Sequence, residues 1–194
     1  AAPLVAHAGG AADGRLGTNS REAFQASCEA GYRAIEVDFA LTADKHVVAR
    51  HDWRAVTAQI LGQPQLRPAE QPWTLAEVLG TPIHGKLHTL DMPALANLMA
   101  AYPQVRLVTD TKATDAPATR QIFGRLVSAL RARDPRILER VVPQLYNEES
   151  GRAALEVYPF PERILTLYQL AASDNEVVAL CGRLGTRVVT MPPW

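Results

Sequence analysis

The stretch Ala34-Ile35-Glu36-Val37-Asp38-Phe39-Ala40 decides how this chain is read. Its apolar and β-branched content is that of a strand. Strand side chains alternate with period two, so Ile35, Val37 and Phe39 share one face while Glu36 and Asp38 share the other. The apolar set suits packing against helices, which turns both carboxylates to the opposite side of the sheet. Two carboxylates held side by side repel, and one takes up a proton unless a cation intervenes.

Working outward, similar short runs recur. Strands are expected at Pro3–His7, Ala34–Ala40, His46–His51, Val105–Lys112, Arg140–Tyr146, Arg163–Gln169 and Arg187–Met191. Several are almost continuously apolar, as parallel strands covered by helices are. Helical patterns lie between them at Ser20–Ala30, Met92–Tyr102, Pro117–Arg133, Ser150–Tyr158 and Asp174–Leu184. In the first, Asn19 or Ser20 serves as cap, Glu22 sits in the first turn and Gly31 follows the end. Strand–helix alternation predicts an α/β fold with a parallel sheet, a TIM-type (β/α)8 barrel. The pattern alone does not separate this from a doubly wound sheet. Seven strands are counted, so the last strand–helix unit is expected to be missing from this chain. The segment 54–88 is rich in Pro and Gln and weakly periodic. It reads as an insertion after the third strand, with short helical pieces such as Thr74–Leu79. Residues 1–194 are therefore expected to form a single barrel domain whose C-terminal end is incomplete.

Polar residues gather where these strands end, which is where barrels build their sites. Asp110 and Lys112 share a face at the end of the fourth strand run. Glu36, Asp38 and Asp110 together make a hard oxygen set suited to Mg²⁺ or Ca²⁺ rather than zinc. Lys112 adds a fixed positive charge beside them, and cation plus lysine is what a phosphate group needs. His7 and His51 also close strands and offer a general acid and base near neutral pH. Gly9-Gly10 is expected to let backbone approach a ligand. Trp53, Gln144, Tyr146 and Tyr168 are candidate pocket-lining residues for substrate. Each of these readings competes with a bland one, in which a strand-end histidine is structural or a Glu-x-Asp pair is a solvated edge. Their joint placement at the ends of the first four strands favours a site.

The 194 residues are 47% hydrophobic and 21% charged, with 20 basic and 20 acidic residues and a formal net charge of zero. A nucleic-acid footprint is not expected, nor a transmembrane segment, since no apolar run approaches the roughly 20 residues needed. Cys28 and Cys181 are expected to be separate, buried thiols rather than a disulfide. The chain opens on Ala1-Ala2-Pro3 without an initiator Met, which fits a removed leader or a trimmed chain. Periplasmic, secreted and cytoplasmic locations stay open, as does the oligomeric state.

At this point a resemblance can be stated. Ala6-His7-Ala8-Gly9-Gly10, Thr18-Asn19-Ser20-Arg21-Glu22-Ala23-Phe24, Gly31 to Phe39, Leu41-Thr42-Ala43-Asp44 and Val47-Val48-Ala49-Arg50-His51-Asp52-Trp53 resemble the glycerophosphodiester phosphodiesterase family, within the phosphatidylinositol-phospholipase-C-like superfamily. Thr109-Asp110-Thr111-Lys112 is a shorter match. The resemblance implies a barrel with an insertion after the early strands. It implies a metal on Glu36, Asp38 and Asp110, with His7 and His51 as acid and base. It also implies cleavage of a small glycerophosphodiester through attack by a neighbouring hydroxyl. This chain departs from the family in carrying Ala8 where Arg is usual and Asp110 where Glu is common. Asp110 is also similar to the third ligand of sphingomyelinase-D-type phospholipases. A sphingomyelinase-D-like phospholipase activity on sphingomyelin or lysophospholipid, on the same barrel, is therefore an alternative, with Trp53, Trp73 and Ile60-Leu61 as a candidate lipid rim. A catalytically weakened binding domain is the third.

Overall fold

The structure, a computed structural model, describes residues 4–191. Pro3, the expected start of the first strand, and the terminal 192–194 lie outside the described residues. The chain runs through β1 (Val5–Ala6), a 3-10 turn (His7–Gly9), β2 (Ala11–Ala12), β3 (Arg15–Leu16), α1 (Arg21–Glu29), β4 (Ala34–Leu41) and β5 (Val47–Ala49). It continues through α2 (Ala55–Ile60), α3 (Leu75–Gly80), α4 (Met92–Ala101), β6 (Arg106–Asp110) and α5 (Ala116–Arg133). A second 3-10 helix (Pro135–Arg140) precedes β7 (Val141–Leu145), α6 (Glu148–Val157), β8 (Ile164–Thr166), α7 (Asp174–Leu184) and β9 (Val188–Thr190).

Six strands form one parallel sheet in the order β1-β4-β6-β7-β8-β9. The order never reverses. A doubly wound sheet needs a reversal, so that alternative is excluded. The sheet curls into an open TIM-type barrel with helices on its outer side. Ile35, Val37 and Phe39 of β4 are at most 2% exposed and belong to the main apolar core. In α5, Ile122, Phe123, Leu126, Val127 and Leu130 form one buried stripe at helical spacing. Each such side chain stabilises the fold by roughly 1.5–3 kcal/mol. α5 packs between α4 and α6, and this helical layer covers the outward faces of β4 and β6.

One expected barrel strand has a different role. Val47–Ala49 pairs antiparallel with the end of β4, with Phe39 opposite Ala49, Ala40 opposite Val48 and Leu41 opposite Val47. The reason is the connection: only five residues, Thr42 to His46, separate β4 from β5. A parallel crossover needs about a dozen. Thr42 closes the turn, its Oγ1 accepting from His46 N–H at 2.8 Å, with Lys45 in the left-handed region at φ 66°. β6 therefore lies directly beside β4 in the sheet.

The 54–88 segment carries two short helices. α3 has a full capping box between Thr74 and Glu77. α2 is a second short helical piece of the kind expected there, while the small hairpin β2–β3 is an addition to the expected elements. Leu61, Ile83 and Leu87 of the segment form a small core with Ala12 and Ala23, and Trp73 and Val78 pack on Val48. Trp73 and Leu61 are each 3% exposed, so they are core rather than a lipid rim. Cys28 and Cys181 are free thiols, Cys28 buried and Cys181 half-buried. None of the helices among the described residues is long and apolar enough to cross a membrane.

Candidate active site

Two neighbouring strands bring the acids together. The β4–β6 register sets Asp38 opposite Asp110 and Glu36 opposite Val108. Glu36, one inward position below Asp38, completes the set. One carboxylate oxygen from each of Glu36, Asp38 and Asp110 lies within 4.8 Å of the others. The sheet backbone places the side chains, so little adjustment is left to loops.

The surroundings of each acid differ. Glu36 Oε2 accepts from the Ala8 backbone N–H at 2.7 Å. Ala8 sits in the left-handed region, at φ 50°, and that turn aims its N–H inward. Burial first, and then the neighbouring Asp38 carboxylate, push the Glu36 carboxyl up to about 8 from its ordinary 4.5. Asp38 is 2% exposed. Asn19 holds it twice: Asn19 Nδ2 donates to Asp38 Oδ2 at 2.9 Å, and Asn19 Oδ1 accepts from the Asp38 N–H at 3.0 Å. The sequence reading treated Asn19 as a possible helix cap. Ser20 fills that role, accepting from Ala23 N–H. An Asn next to an already competent cap residue was the available signal.

Lys112 lies just beyond the end of β6 at φ 53°, and its Nζ contacts Asp38 Oδ1 and lies 3.3 Å from Asp110 Oδ2. Burial works against its charge, but the Asp38 and Asp110 carboxylates more than offset this and hold the ammonium above its ordinary value. Asp110 Oδ2 also accepts from Tyr168 Oη at 2.8 Å, and Oδ1 accepts from Tyr146 Oη.

His7 points away from the core, with a side chain 82% exposed, and its Nε2 lies 3.8 Å from Glu36 Oε2. His51 follows β5, whose antiparallel pairing continues one step further: the Arg50 N–H donates to the Asp38 carbonyl at 2.9 Å. His51 is thus set beside the acidic strand ends by the β5 arm. Its Nδ1 pairs with Asp52 Oδ2 at 2.8 Å. Although burial opposes it, hydrogen bonds from Arg54 and Thr57 hold the Asp52 carboxyl well below the usual range, so it is ionised. Asp52 is a residue the sequence reading did not single out; an acid next to a strand-end histidine was the signal.

The remaining candidates divide, with Tyr146 and Tyr168 on Asp110 and the others apart from the acids. Trp53 donates its indole N–H to the Leu41 carbonyl at 3.0 Å and packs near Trp73. The Arg50 guanidinium lies 4.8 Å from the Trp53 ring and 5.0 Å from that of Trp73, and donates to Gln63 Oε1 at 2.8 Å. At 3% exposure it is committed to this clamp and cannot supply the positive charge that Ala8 lacks. Gln144 is buried and accepts from Thr166 Oγ1. Tyr146 is 1% exposed, which leaves no surface for lining a pocket, while Tyr168 is 46% exposed. Gly9-Gly10 meets α1 rather than a ligand: a Cβ on Gly10 would fall 2.0 Å from Ser27 Oγ.

The donor set fits a divalent cation. Three carboxyl groups stand against one ammonium, so when all three are ionised the set carries an uncompensated excess of negative charge that a divalent cation would offset. All donors are hard oxygens, with no thiol or imidazole in the triad.

Comparisons with known proteins give the chain its family. Residues 7–141 match the model of the glycerophosphoryl diester phosphodiesterase family. No curated protein matches the sequence. Among solved structures, an Oleispira antarctica phosphodiesterase in complex with the product sn-glycerol-3-phosphate aligns with TM-score 0.73 at 14% identity, over 95% of this chain and 72% of that one. A Parabacteroides distasonis glycerophosphodiester phosphodiesterase aligns with TM-score 0.70 at 16% identity, over 95% and 71%. A proposed glycerophosphoryl diester phosphodiesterase of Silicibacter pomeroyi aligns with TM-score 0.67 at 20% identity, over 97% and 82%. At such identities the likeness is one of fold. The family match covers well over half of the chain and includes both histidines and all three acids, so the chain belongs to the glycerophosphoryl diester phosphodiesterase family, whose members are phosphoric diester hydrolases.

Proposed function

We propose that this protein is a divalent-cation-dependent hydrolase of small phosphodiesters of the glycerophosphodiester kind, acting at the ends of β4 and β6. The observation that carries the reading is the convergence of Glu36, Asp38 and Asp110 within 4.8 Å on adjacent parallel strands. The three carboxylates would hold Mg²⁺ or Ca²⁺. When bound, the cation supplies Lewis-acid polarisation and charge neutralisation at the phosphate.

The chain's own residues do the rest. His51, with Nδ1–H donating to ionised Asp52, presents Nε2 for proton exchange with substrate. His7, exposed beside Glu36, exchanges the other proton. One proton leaves the attacking hydroxyl and one reaches the departing alkoxide. Lys112 Nζ faces the same carboxylates and stabilises the charge that develops on the phosphate oxygens. With Ala8 in place of a cationic side chain and Arg50 buried in its clamp, Lys112 carries that role without a second fixed charge. We further read residues 1–194 as one barrel domain with 54–88 as its insertion. The buried positions of Trp73 and Leu61 give no support to a lipid rim.

The test is hydrolysis of glycerophosphocholine, lysophosphatidylcholine and bis(p-nitrophenyl) phosphate, with EDTA, Mg²⁺ or Ca²⁺. Cation-dependent release from glycerophosphocholine, lost in folded Glu36→Gln, is expected. Cation-dependent release from lysophosphatidylcholine alone would favour the lipid-directed activity. No cation-dependent turnover on any of the three would overturn the reading.

A further inference from the structure

Tyr146 and Tyr168 stand on two successive strand ends, yet both hydroxyls converge on one carboxylate. Tyr146 directly follows β7 and Tyr168 lies in the turn after β8. Asp110 Oδ1 is bonded to Tyr146 Oη and Asp110 Oδ2 to Tyr168 Oη. The two rings meet edge to face with centroids 5.8 Å apart. The direction of the Tyr146 bond is fixed by elimination. Tyr146 Oη already accepts from the backbone N–H of Thr111 at 3.1 Å and of Lys112 at 3.0 Å. A hydroxyl has one proton, and with two donors already facing the oxygen, that proton has only Asp110 to go to. Tyr168 Oη must likewise donate, because an ionised carboxylate only accepts.

Asp110 is held differently from its partners. Asp38 is braced by both ends of the Asn19 amide, and Glu36 by the Ala8 N–H. Asp110 is the last residue of β6. Its backbone position is set by the pairing with Asp38, while the plane of its carboxylate depends on side-chain hydroxyls from β7 and β8 together with Lys112. Each carboxylate oxygen has two lone pairs. The two tyrosines hold one oxygen each, beside the Lys112 backbone N–H on Oδ1 at 3.2 Å and the Lys112 ammonium 3.3 Å from Oδ2, and so stop the group from rotating. Hydrogen bonds of this kind orient ligating carboxylates and account for a large share of metal affinity.

We infer that Tyr146 and Tyr168 are positioning residues for Asp110, which clamp its carboxylate in the orientation that binds the cation, rather than residues that line the substrate pocket. The inference rests on the cation-site reading given above.

Tyr168→Phe is the cleaner variant, since its hydroxyl serves no backbone N–H and the ring can stay packed. Tyr146→Phe would also strip an acceptor from two backbone N–H groups, so it is the second variant. Mn²⁺ is titrated into the full chain and followed by electron paramagnetic resonance, which reads both the free-ion fraction and the symmetry of the bound ion. Metal-free melting curves check folding. Affinity is expected to fall about 10- to 100-fold in Tyr168→Phe, with an altered bound-ion spectrum and an unchanged metal-free melt. Wild-type affinity and spectrum in Tyr168→Phe, with binding abolished in Asp110→Asn, would overturn the inference and leave the cation site standing. If the wild-type protein binds no Mn²⁺, the cation-site reading and this inference fall together.

Discussion

The acids and the candidate His51 are held by different means. Glu36, Asp38 and Asp110 are held by the register of two central parallel strands whose outward faces are fully buried. His51 hangs from a short antiparallel arm, braced on one side by the Arg50 contact to the Asp38 carbonyl and on the other by the clamp of Arg50 between Trp53 and Trp73. The acids form a rigid floor that cannot shift without moving the sheet. The histidine is positioned by the β5 arm, which the insertion backs through Gln63 and Trp73. The two parts should therefore fail differently, and substitutions can separate them.

The largest effect is expected at the floor. Asp38→Asn keeps the shape but removes a charge, and should abolish cation binding by calorimetry together with turnover. Retained binding would mean the triad is not the cation site. His51→Ala should lower kcat by about 100- to 10,000-fold while leaving cation affinity as in wild type; a matching loss of affinity would show that floor and arm are one unit. Arg50→Met preserves much of the packing but loses the cation–π contacts and the bond to Gln63. It should cost about 2–3 kcal/mol in urea unfolding and lower kcat through His51, without a change in cation affinity.

Acidity distinguishes the two parts as well. Glu36 titrates near 8 in the cation-free fold and near 4.5 when unfolded. Because its folded value is raised, the proton it holds stabilises the fold. That contribution is complete below about pH 4.5 and is lost as pH rises through about 8. The cation-free protein should lose stability on the order of a few kcal/mol between these limits, and saturating Mg²⁺ should remove the decline by replacing the proton. Melting curves at pH 5, 7 and 9 with and without the cation read this directly, and a pH-independent cation-free melt would contradict it. The smallest effect is at the far edge of the insertion. Thr74→Ala removes the α3 cap and should cost about 1 kcal/mol with no change in kcat.

Much of the site is legible in the chain itself. Period-two alternation places Glu36 and Asp38 on one face whatever the fold, because it is a property of any strand. The apolar faces of α1, α5 and α7 and the strand–helix rhythm lead to the parallel sheet for the same local reason. Direction and partnership are not local. The run from Val47 to Ala49 looks like every other strand, and its reversal is encoded only in the brevity of Thr42–His46. The fates of Tyr146, Asn19 and Arg50 could not be read from spacing either. A buried tyrosine, a spare cap residue and an arginine near a phosphate site have ordinary local readings.

The sequence by itself determined which side chains share a strand face, where helices begin, and that acids and histidines gather at strand ends, because these follow from backbone geometry over a few residues. Only the tertiary structure decided that Asp38 meets Asp110, that β5 is an arm rather than a barrel strand, and that two tyrosine hydroxyls from the ends of β7 and β8 close on one carboxylate. The acid pairing and the tyrosine contacts join residues 36 to 72 positions apart. They are set by how strands register and helices pack, which no short stretch of chain contains.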